Sequence, residues 1–334
     1  MLNKKRILIA PLNWGLGHAS RCIPIIRELL EKENEVILAA EGSPLKLLQE
    51  EFPNLQAIEL KGPEIRYPKK LPIPIYFALK MPQLLLALKA EQKALEAIIE
   101  QEKIEVVISD NRYGLHHEKV HSILITHQLF VKSPIFERHV QQFIHSQIQQ
   151  FDECWIPDFE GEENLSGELS HGQSKLTNLK FIGALSRFKK GEVAVKGHAR
   201  NLMVVLSGPE PHRSNFEAKI VQQLKQIDVT ALVVKGVIKE DVQTEKINDQ
   251  LSLVSHLPSA TMREEMLKSA IIICRSGYSS LMDLHALDKK ALIVPTKGQT
   301  EQEYLANYWG EKENFYAVKE EEMNLGEDLS YFGL

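Results

Sequence analysis

Residues 6–41 read RILIAPLNWGLGHASRCIPIIRELLEKENEVILAAE. Ile7 to Ala10 is an apolar run that enters a loop, Pro11 to Gly17, carrying two glycines. Beyond it, Ile23, Ile25, Ile26, Leu29 and Leu30 recur at helical spacing. Val36 to Ala40 is then a buried-strand pattern that stops at Glu41-Gly42. The unit is β-loop-α-β, and that order implies a parallel sheet. Working outward, strands fit residues 106–108 and 123–125, with a long helix over roughly 83–101 ahead of the first.

The pattern pauses at 158–175, rich in Gly, Ser, Glu and Asn, and residues 186–200 are polar and basic. A second α/β series begins at Leu202-Met203-Val204-Val205-Leu206, followed by Ser207-Gly208-Pro209 and a helix near 214–226. Strands at 230–234, 251–254, 271–274 and 291–294 continue it. The expectation is an α/β protein of two Rossmann-like parallel-sheet domains facing a cleft, 1–185 and 186–334. No repeat of 20–50 residues is visible.

Composition narrows the function classes. The chain has 334 residues, 43% hydrophobic and 25% charged, as in an ordinary globular protein. Its formal charge of −5 lacks the basic field of a dedicated nucleic-acid binder. Three distant cysteines, Cys22, Cys154 and Cys274, offer neither a disulfide framework nor a zinc knuckle, which favours a reducing compartment. Lys4-Lys5-Arg6 precedes an apolar run too short for a signal-peptide core, which needs about 7–15 residues. No stretch approaches the ~18 apolar residues of a spanning helix. A cytoplasmic protein is expected. The apolar residues 71–90, with Lys69, Lys70, Lys80 and Lys89 nearby, are a core helix under a basic rim or a peripheral membrane contact.

The richest chemistry lies at Ile271-Ile272-Ile273-Cys274-Arg275-Ser276-Gly277-Tyr278-Ser279-Ser280-Leu281-Met282-Asp283. A buried strand runs into Arg-Ser-Gly and a helix starts at the serines, either of which can cap it. Free N–H groups at the helix start, with Arg275, would make a phosphate cradle at the sheet's C-terminal edge. A tight turn with ordinary capping fits the same letters. The strand at 291–294 ends in Pro295-Thr296-Lys297-Gly298-Gln299-Thr300-Glu301-Gln302, and the 202–206 strand ends at Gly208. Three such loops on one edge suit a nucleoside diphosphate.

The order CRSGYSSLMDL then VPTKGQTEQEYLA resembles the C-terminal domain of glycosyltransferase family 28, a GT-B family. The resemblance extends to Asn13-Trp14-Gly15-Leu16-Gly17-His18 and Thr126-His127-Gln128. It implies Arg275, Ser276, Gly277, Ser279 and Ser280 around the donor diphosphate, and Asp283 at the ribose, where the family usually has Glu. It also implies Thr300, Glu301 and Gln302 at the donor sugar, and His256 and Leu257 at the nucleobase, with Gly208 nearby. On the acceptor side stand Asn13, Gly15, Gly17, Asp110, His127 and Gln128, with His18 in the position of a catalytic base. The implied reaction is an inverting, metal-independent hexosyl transfer that needs no cofactor. Its donor is a nucleotide sugar, expected to be a UDP-sugar such as UDP-N-acetylglucosamine, and its acceptor a glycan or lipid-linked hydroxyl.

His18 suits that role chemically because histidine titrates near neutral pH. Asp110, after a predicted strand, could orient His18, bind acceptor or cap a turn. No Asp-x-Asp is present to chelate a metal. Three other patterns compete. His117-Glu118-Lys119-Val120-His121 matches the zinc-protease signature, but Gly114 and a strand-like Ile123-Leu124-Ile125 crowd the helix it needs. Gly15-x-Gly17-x-x-Ser20 with Glu41 mimics a dinucleotide site, with Ser20 in place of the third glycine. A nucleotide-sugar epimerase or a non-catalytic binder would use the same architecture. The acidic run Glu320-Glu321-Glu322 is most simply solvated surface.

Overall fold

The computed structural model describes residues 2–62, 73–132, 137–188 and 199–334, with side chains from residue 82 onward in the second segment. The chain divides into two compact units: Met1–Trp14 with His18–Leu185, and Ser186–Leu334 with Gly15–Gly17.

The first unit runs β1 (Arg6–Pro11), α1 (Gly17–Glu31), β2 (Glu35–Ala40), α2 (Gly42–Glu51), β3 (Ala57–Glu59), α3 (Ile73–Glu102), β4 (Val106–Asp110), β5 (His121–Ile125), α4 (Glu137–Ile148), β6 (Glu153–Ile156) and β7 (Leu179–Phe181). Its strands form one parallel sheet in the order β3-β2-β1-β4-β5-β6-β7. Leu8, Ala10, Ile37, Ala39 and Val107 pack against Leu95, Ile98 and Ile99 of α3. Because both faces are covered, the strands read as continuous apolar runs rather than alternating ones.

The second unit runs β8 (Arg200–Val205), α5 (His212–Leu224), β9 (Ala231–Val234), β10 (Thr244–Lys246), β11 (Leu251–Val254), α6 (Ser259–Lys268), β12 (Ser269–Cys274), α7 (Tyr278–Ala286), β13 (Lys290–Ile293), α8 (Thr300–Gly310), β14 (Phe315–Ala317) and α9 (Leu325–Asp328). The order is β10-β11-β9-β8-β12-β13-β14, parallel throughout except for the antiparallel β10. Phe216, Ile220 and Leu224 of α5 pack on Leu202, Val204, Ile271 and Ile273.

In each sheet the first strand, β1 or β8, lies between its successors, so the strand order reverses there. The loops leaving that strand and its later neighbour diverge and open a crevice at the C-terminal edge. This places the segments after β1 and β4, and after β8 and β12, where ligands bind in such folds.

The structure departs from sequence expectation at several elements. Helix α3 starts at Ile73 and runs through Pro82, ten residues before the expected start. Proline removes one hydrogen bond, and a 30-residue helix retains the rest. The short β3, β6, β7, β10 and β14 were not visible as periodic runs. The stretch 158–175 is not a loose pause. Asp158, fully buried, accepts hydrogen bonds from the backbone N–H groups of Phe159, Leu165 and Ser166 at 2.8–2.9 Å. Ser166 Oγ and His171 Nε2 add to it. Ser170 Oγ in turn donates to the His127 carbonyl at 2.6 Å, tying this loop to the crevice. The hinge expected over 186–200 falls largely outside the described residues.

Asp158→Ala would leave several buried donors without an acceptor. Each orphaned group costs ~1–3 kcal/mol, so the variant is expected to lose at least about 3 kcal/mol in urea denaturation.

Candidate active site

In the first unit, register sets the geometry. Pro11 of β1 pairs with Asp110 of β4, so both strands end level and Asp110 stands beside the turn into α1. His18 and Arg21 lie three residues apart on that helix and share a face. His18 Nδ1 is 2.9 Å from Asp110 Oδ1. Arg21 grips the same carboxylate as a fork, Nε donating to Oδ2 at 2.6 Å and Nη2 to Oδ1. Arg21 Nη2 is also 3.0 Å from His18 Nδ1, and its Nη1 is 3.2 Å from His127 Nδ1. Asp110 is fully buried and Arg21 2% exposed.

Burial alone would raise the Asp110 pKa, but Arg21 and then His18 hold it well below the usual carboxylate range. Both partners thus favour its ionised form. Asp110 bonds both His18 and Arg21. Beneath it Cys22 is buried, and its thiol pKa is pushed well up by burial and by Asp110. Gly15 adopts φ +76°, which a side chain resists, and Asn13 stays exposed. The backbone N–H of Gln128 donates to Thr126 Oγ1 at 3.2 Å.

In the second unit, β12 ends at Cys274 and α7 begins at Tyr278 with Gly277 as its N-cap. No side chain caps the helix, contrary to the role expected of Ser279 or Ser280. The first-turn N–H groups of a helix point toward its start, where such groups can receive an anion. A Cβ built on Gly277 would meet nothing within 4 Å, so the space before this turn is open. Gly208, at the end of the neighbouring β8 loop, has φ +103° and equally open space.

Arg275 turns inward instead. It is 1% exposed, stacks 3.8 Å over the Phe216 ring and pairs with Glu320 at 2.6 Å. It also donates to the Pro295 carbonyl at 3.2 Å, and lies at the limit of bonding to those of Val294 and His212. Burial lowers its pKa against the opposing pull of Glu320. Glu320, expected on a solvated surface, is thereby a partner of the buried cation.

Ser276 Oγ donates to the Gln302 carbonyl at 2.7 Å, and Gln302 Oε1 accepts from the Thr296 N–H at 2.8 Å. Together they join the loops after β12 and β13 to α8, which Thr300 and Glu301 open. Asp283 is 7% exposed; Ser186 Oγ donates to it at 2.7 Å and Arg187 Nε lies 3.3 Å away. His256 and Leu257 are buried after β11, with His256 Nδ1 3.1 Å from Ser255 Oγ.

The competing motifs meet different fates. His117 to Val120 form a turn between β4 and β5, and His121 is already in the strand, so the zinc-protease helix does not exist. Among the described residues no three His, Cys, Asp or Glu gather as a metal site. Glu41 stands at the N-cap of α2, where its side chain makes no cap bond, and accepts the Gly62 N–H at 2.9 Å. Sequence reasoning does not single out Arg21, and it places Glu320 on a solvated surface. A charged residue between Ala19, Cys22 and Ile23, all fully buried, is the signal that would have found Arg21.

Comparison with known proteins agrees with this geometry. Residues 208–330 match the family model of the glycosyltransferase family 28 C-terminal domain. No curated protein sequence matches the chain. Among solved structures it is similar to the glycosyltransferase of kitacinnamycin, with 13% identity, TM-score 0.62, and 99% and 90% of the two chains covered. It is similar to MurG of Acinetobacter baumannii, with 12% identity, TM-score 0.52, and 98% and 89% covered. It is also similar to Arabidopsis thaliana UGT89C1, solved with UDP-L-rhamnose, with 12% identity, TM-score 0.62, and 99% and 91% covered. The fold is that of these GT-B glycosyltransferases, and the family-model match falls within the C-terminal unit.

Removing the Arg275 partner isolates a desolvated cation, which in a fully buried pair costs about 3–5 kcal/mol. Glu320 is 24% exposed, so Glu320→Ala is expected to lose about 2 kcal/mol in urea denaturation.

Proposed function

We propose that this glycosyltransferase moves a hexosyl group from a UDP-sugar, such as UDP-N-acetylglucosamine, to an acceptor hydroxyl with inversion and without a metal. The observation that carries the reading is the 2.9 Å pair of His18 and Asp110, whose carboxylate is held by the Arg21 fork, at the reversal point of the first sheet. A carboxylate can only accept, so its bond to Nδ1 requires the proton there and leaves the Nε2 lone pair as base.

In the proposed step Nε2 takes the acceptor proton as the hydroxyl oxygen attacks the anomeric carbon. The bond from that carbon to the diphosphate oxygen breaks, and the nucleoside diphosphate leaves with the electron pair. One displacement inverts the centre. Asp110 stabilises the imidazolium that forms. The uncapped start of α7 is proposed to hold the departing diphosphate, where aligned N–H groups take the place of a divalent ion. The open space at Gly277 supports this, since phosphate must approach backbone there. Arg275, committed to Glu320 and to neighbouring carbonyls, would serve by fixing these loops.

The donor class has support from the bound ligands of fold neighbours: UDP-L-rhamnose on UGT89C1 and thymidine diphosphate on the spinosyn rhamnosyltransferase SpnG. We place the protein in the cytoplasm, in keeping with three buried free cysteines, two with thiol pKa pushed up to about 12 by burial. The acceptor is proposed to be a glycan or lipid-linked hydroxyl. Of residues 71–90, Leu71 and Pro72 lie outside the described residues, as do the side chains of 73–81; Leu85 and Leu86 are 44% and 67% exposed beside exposed Lys89. Among the described residues no helix is long and apolar enough to cross a membrane.

A thermal-shift panel of UDP, GDP, dTDP, CDP and NAD should show stabilisation by UDP, about 2.7 kcal/mol at 100 times Kd. A shift with NAD alone would overturn the reading. His18→Ala is expected to retain UDP binding while turnover falls about 10²–10⁴-fold. Wild-type turnover should survive EDTA. For the surface contact, flotation with anionic liposomes should carry the protein upward, and Leu86→Glu should reduce it.

A further inference from the structure

One parallel connection of the second sheet carries no helix. The connections β8–α5–β9, β11–α6–β12, β12–α7–β13 and β13–α8–β14 each have one, whereas β9 reaches β11 through a loop and the three-residue antiparallel β10. The steps from β8 to β9 and from β9 to β11 run in the same direction across the sheet. Right-handed crossovers that step one way lie on one face, so a helix in the second of these would lie beside α5. A groove of about 830 Å³ is found there instead.

One wall is the stripe Ser214, Ala218, Val221, Gln222 and Lys225 of α5, turned away from the face whose Phe216, Ile220 and Leu224 enter the core. At about 1.5 Å per residue this stripe is about 16 Å long, which matches about three turns of a facing helix. Val237, Ile247 and Leu253 add apolar surface, and Val242, 42% exposed, stands in the bordering loop.

Charge then selects the occupant. Four cations and two carboxylates line the groove, a positive surplus on a chain of formal charge −5. Both carboxylates are matched: Glu217 takes Arg213 at 2.7 Å and Lys235 at 3.2 Å, and Glu245 takes Lys235 at 3.4 Å. Two cations are left over. Among the described residues Lys225 forms no ion pair, and Lys239 donates only to the neutral amide oxygen of Gln243. They mark opposite ends of the groove. Lys225 is the C-cap of α5. The Gln243 N–H donates to Ser255 Oγ at 2.9 Å, just past the end of β11, and α5 begins at that edge, where Arg213 Nη1 donates to the Lys235 carbonyl at 3.2 Å. Glu240 and Asp241, next along the loop, do not line the groove.

We propose that this groove docks an amphipathic helix of a partner protein, with aliphatic residues at i, i+3, i+4 and i+7 against the apolar surface and acidic residues near both ends to meet Lys239 and Lys225. A small anion reaches one of these cations and not the other. The proposal does not rest on the transferase reading.

The probe is a labelled synthetic helix of about 16 residues, with leucines at those spacings and glutamates toward both ends, titrated against the full-length protein by fluorescence anisotropy. A control peptide carries lysine for every glutamate. The glutamate peptide is expected to bind, and to bind at least about tenfold more weakly as salt rises from about 0.05 to 0.5 M. Lys225→Glu combined with Lys239→Glu should weaken it at least about tenfold. Ala218→Arg, at an exposed position on the groove wall, should abolish it with the thermal midpoint unchanged. No binding at about 1 mM glutamate peptide overturns the proposal. Equal binding of the lysine peptide, or undiminished binding to either variant, does the same. If one variant does not fold, the two peptides on wild type and the other variant decide. Decanoate binding that Ala218→Arg removes, in a protein blind to the peptide, would make the occupant a small amphiphile. Sedimentation showing self-association that Ala218→Arg removes would make it a second copy of this chain. Each of these overturns the partner helix.

Discussion

Everything functional here depends on where a parallel sheet reverses its strand order. Right-handed crossovers build each sheet outward from its first strand, then return past that strand to build the other half. At β1 and again at β8, helices leave in opposite directions and cannot cover the strand ends between them. The backbone groups in that gap must find partners other than the sheet. The first unit fills its gap with titratable side chains, His18, Asp110 and His127. The second fills its gap with small residues, Gly208, Ser276 and Gly277, ahead of the start of α7. On the reading proposed above, one edge would move a proton and the other receive an anion, and the difference is one of side-chain chemistry on the same topology.

How much of this could be read from the letters follows from what sets each feature. Strands buried on both faces announce themselves as runs such as Ile7–Ala10 and Ile271–Cys274, because every position must be apolar. Edge strands such as β3 and β10 are three residues long and partly or wholly exposed, so they carry no period to detect. His18 was legible because a histidine follows a glycine turn after a strand. Arg21 was not, since local reading treats a charge on a helix as solvent-facing. Only the pairing of β1 with β4 brings Asp110, 89 residues away, to meet it. Glu320 was misread for the same reason, its role being set by a loop 45 positions earlier in the chain.

The family resemblance added roles that periodicity could not, though the geometry qualifies how those roles are filled. A basic residue ahead of a phosphate-type turn suggests a direct charge contact. Arg275 shows another use of the same letter: its guanidinium is buried, pairs with Glu320 and donates to the Pro295 carbonyl of the adjoining loop. In the proposed reading an anion at this edge would be held by backbone groups, and a glycine at the N-cap leaves the space for it.

Three arginines are among the largest fully buried side chains, and each has one carboxylate: Arg21 with Asp110, Arg112 with Glu91, Arg275 with Glu320. Each also reaches a loop at the C-terminal edge of its sheet. Arg112 donates to the carbonyls of Leu60 and Lys61 at 3.1 and 2.9 Å, as Arg275 does to Pro295. Burying such pairs contributes little net stability, because desolvation offsets most of the attraction. What the pairs supply is geometry. Loops that diverge at a reversal point leave carbonyls with no strand to bond, and a five-donor planar cation satisfies several at once from fixed directions. The carboxylate then removes the net charge that would otherwise make the burial untenable. An apolar replacement could fill the same volume and would leave the loops without a reason to hold one conformation, which is what a site that must place a base and an anion cradle cannot tolerate.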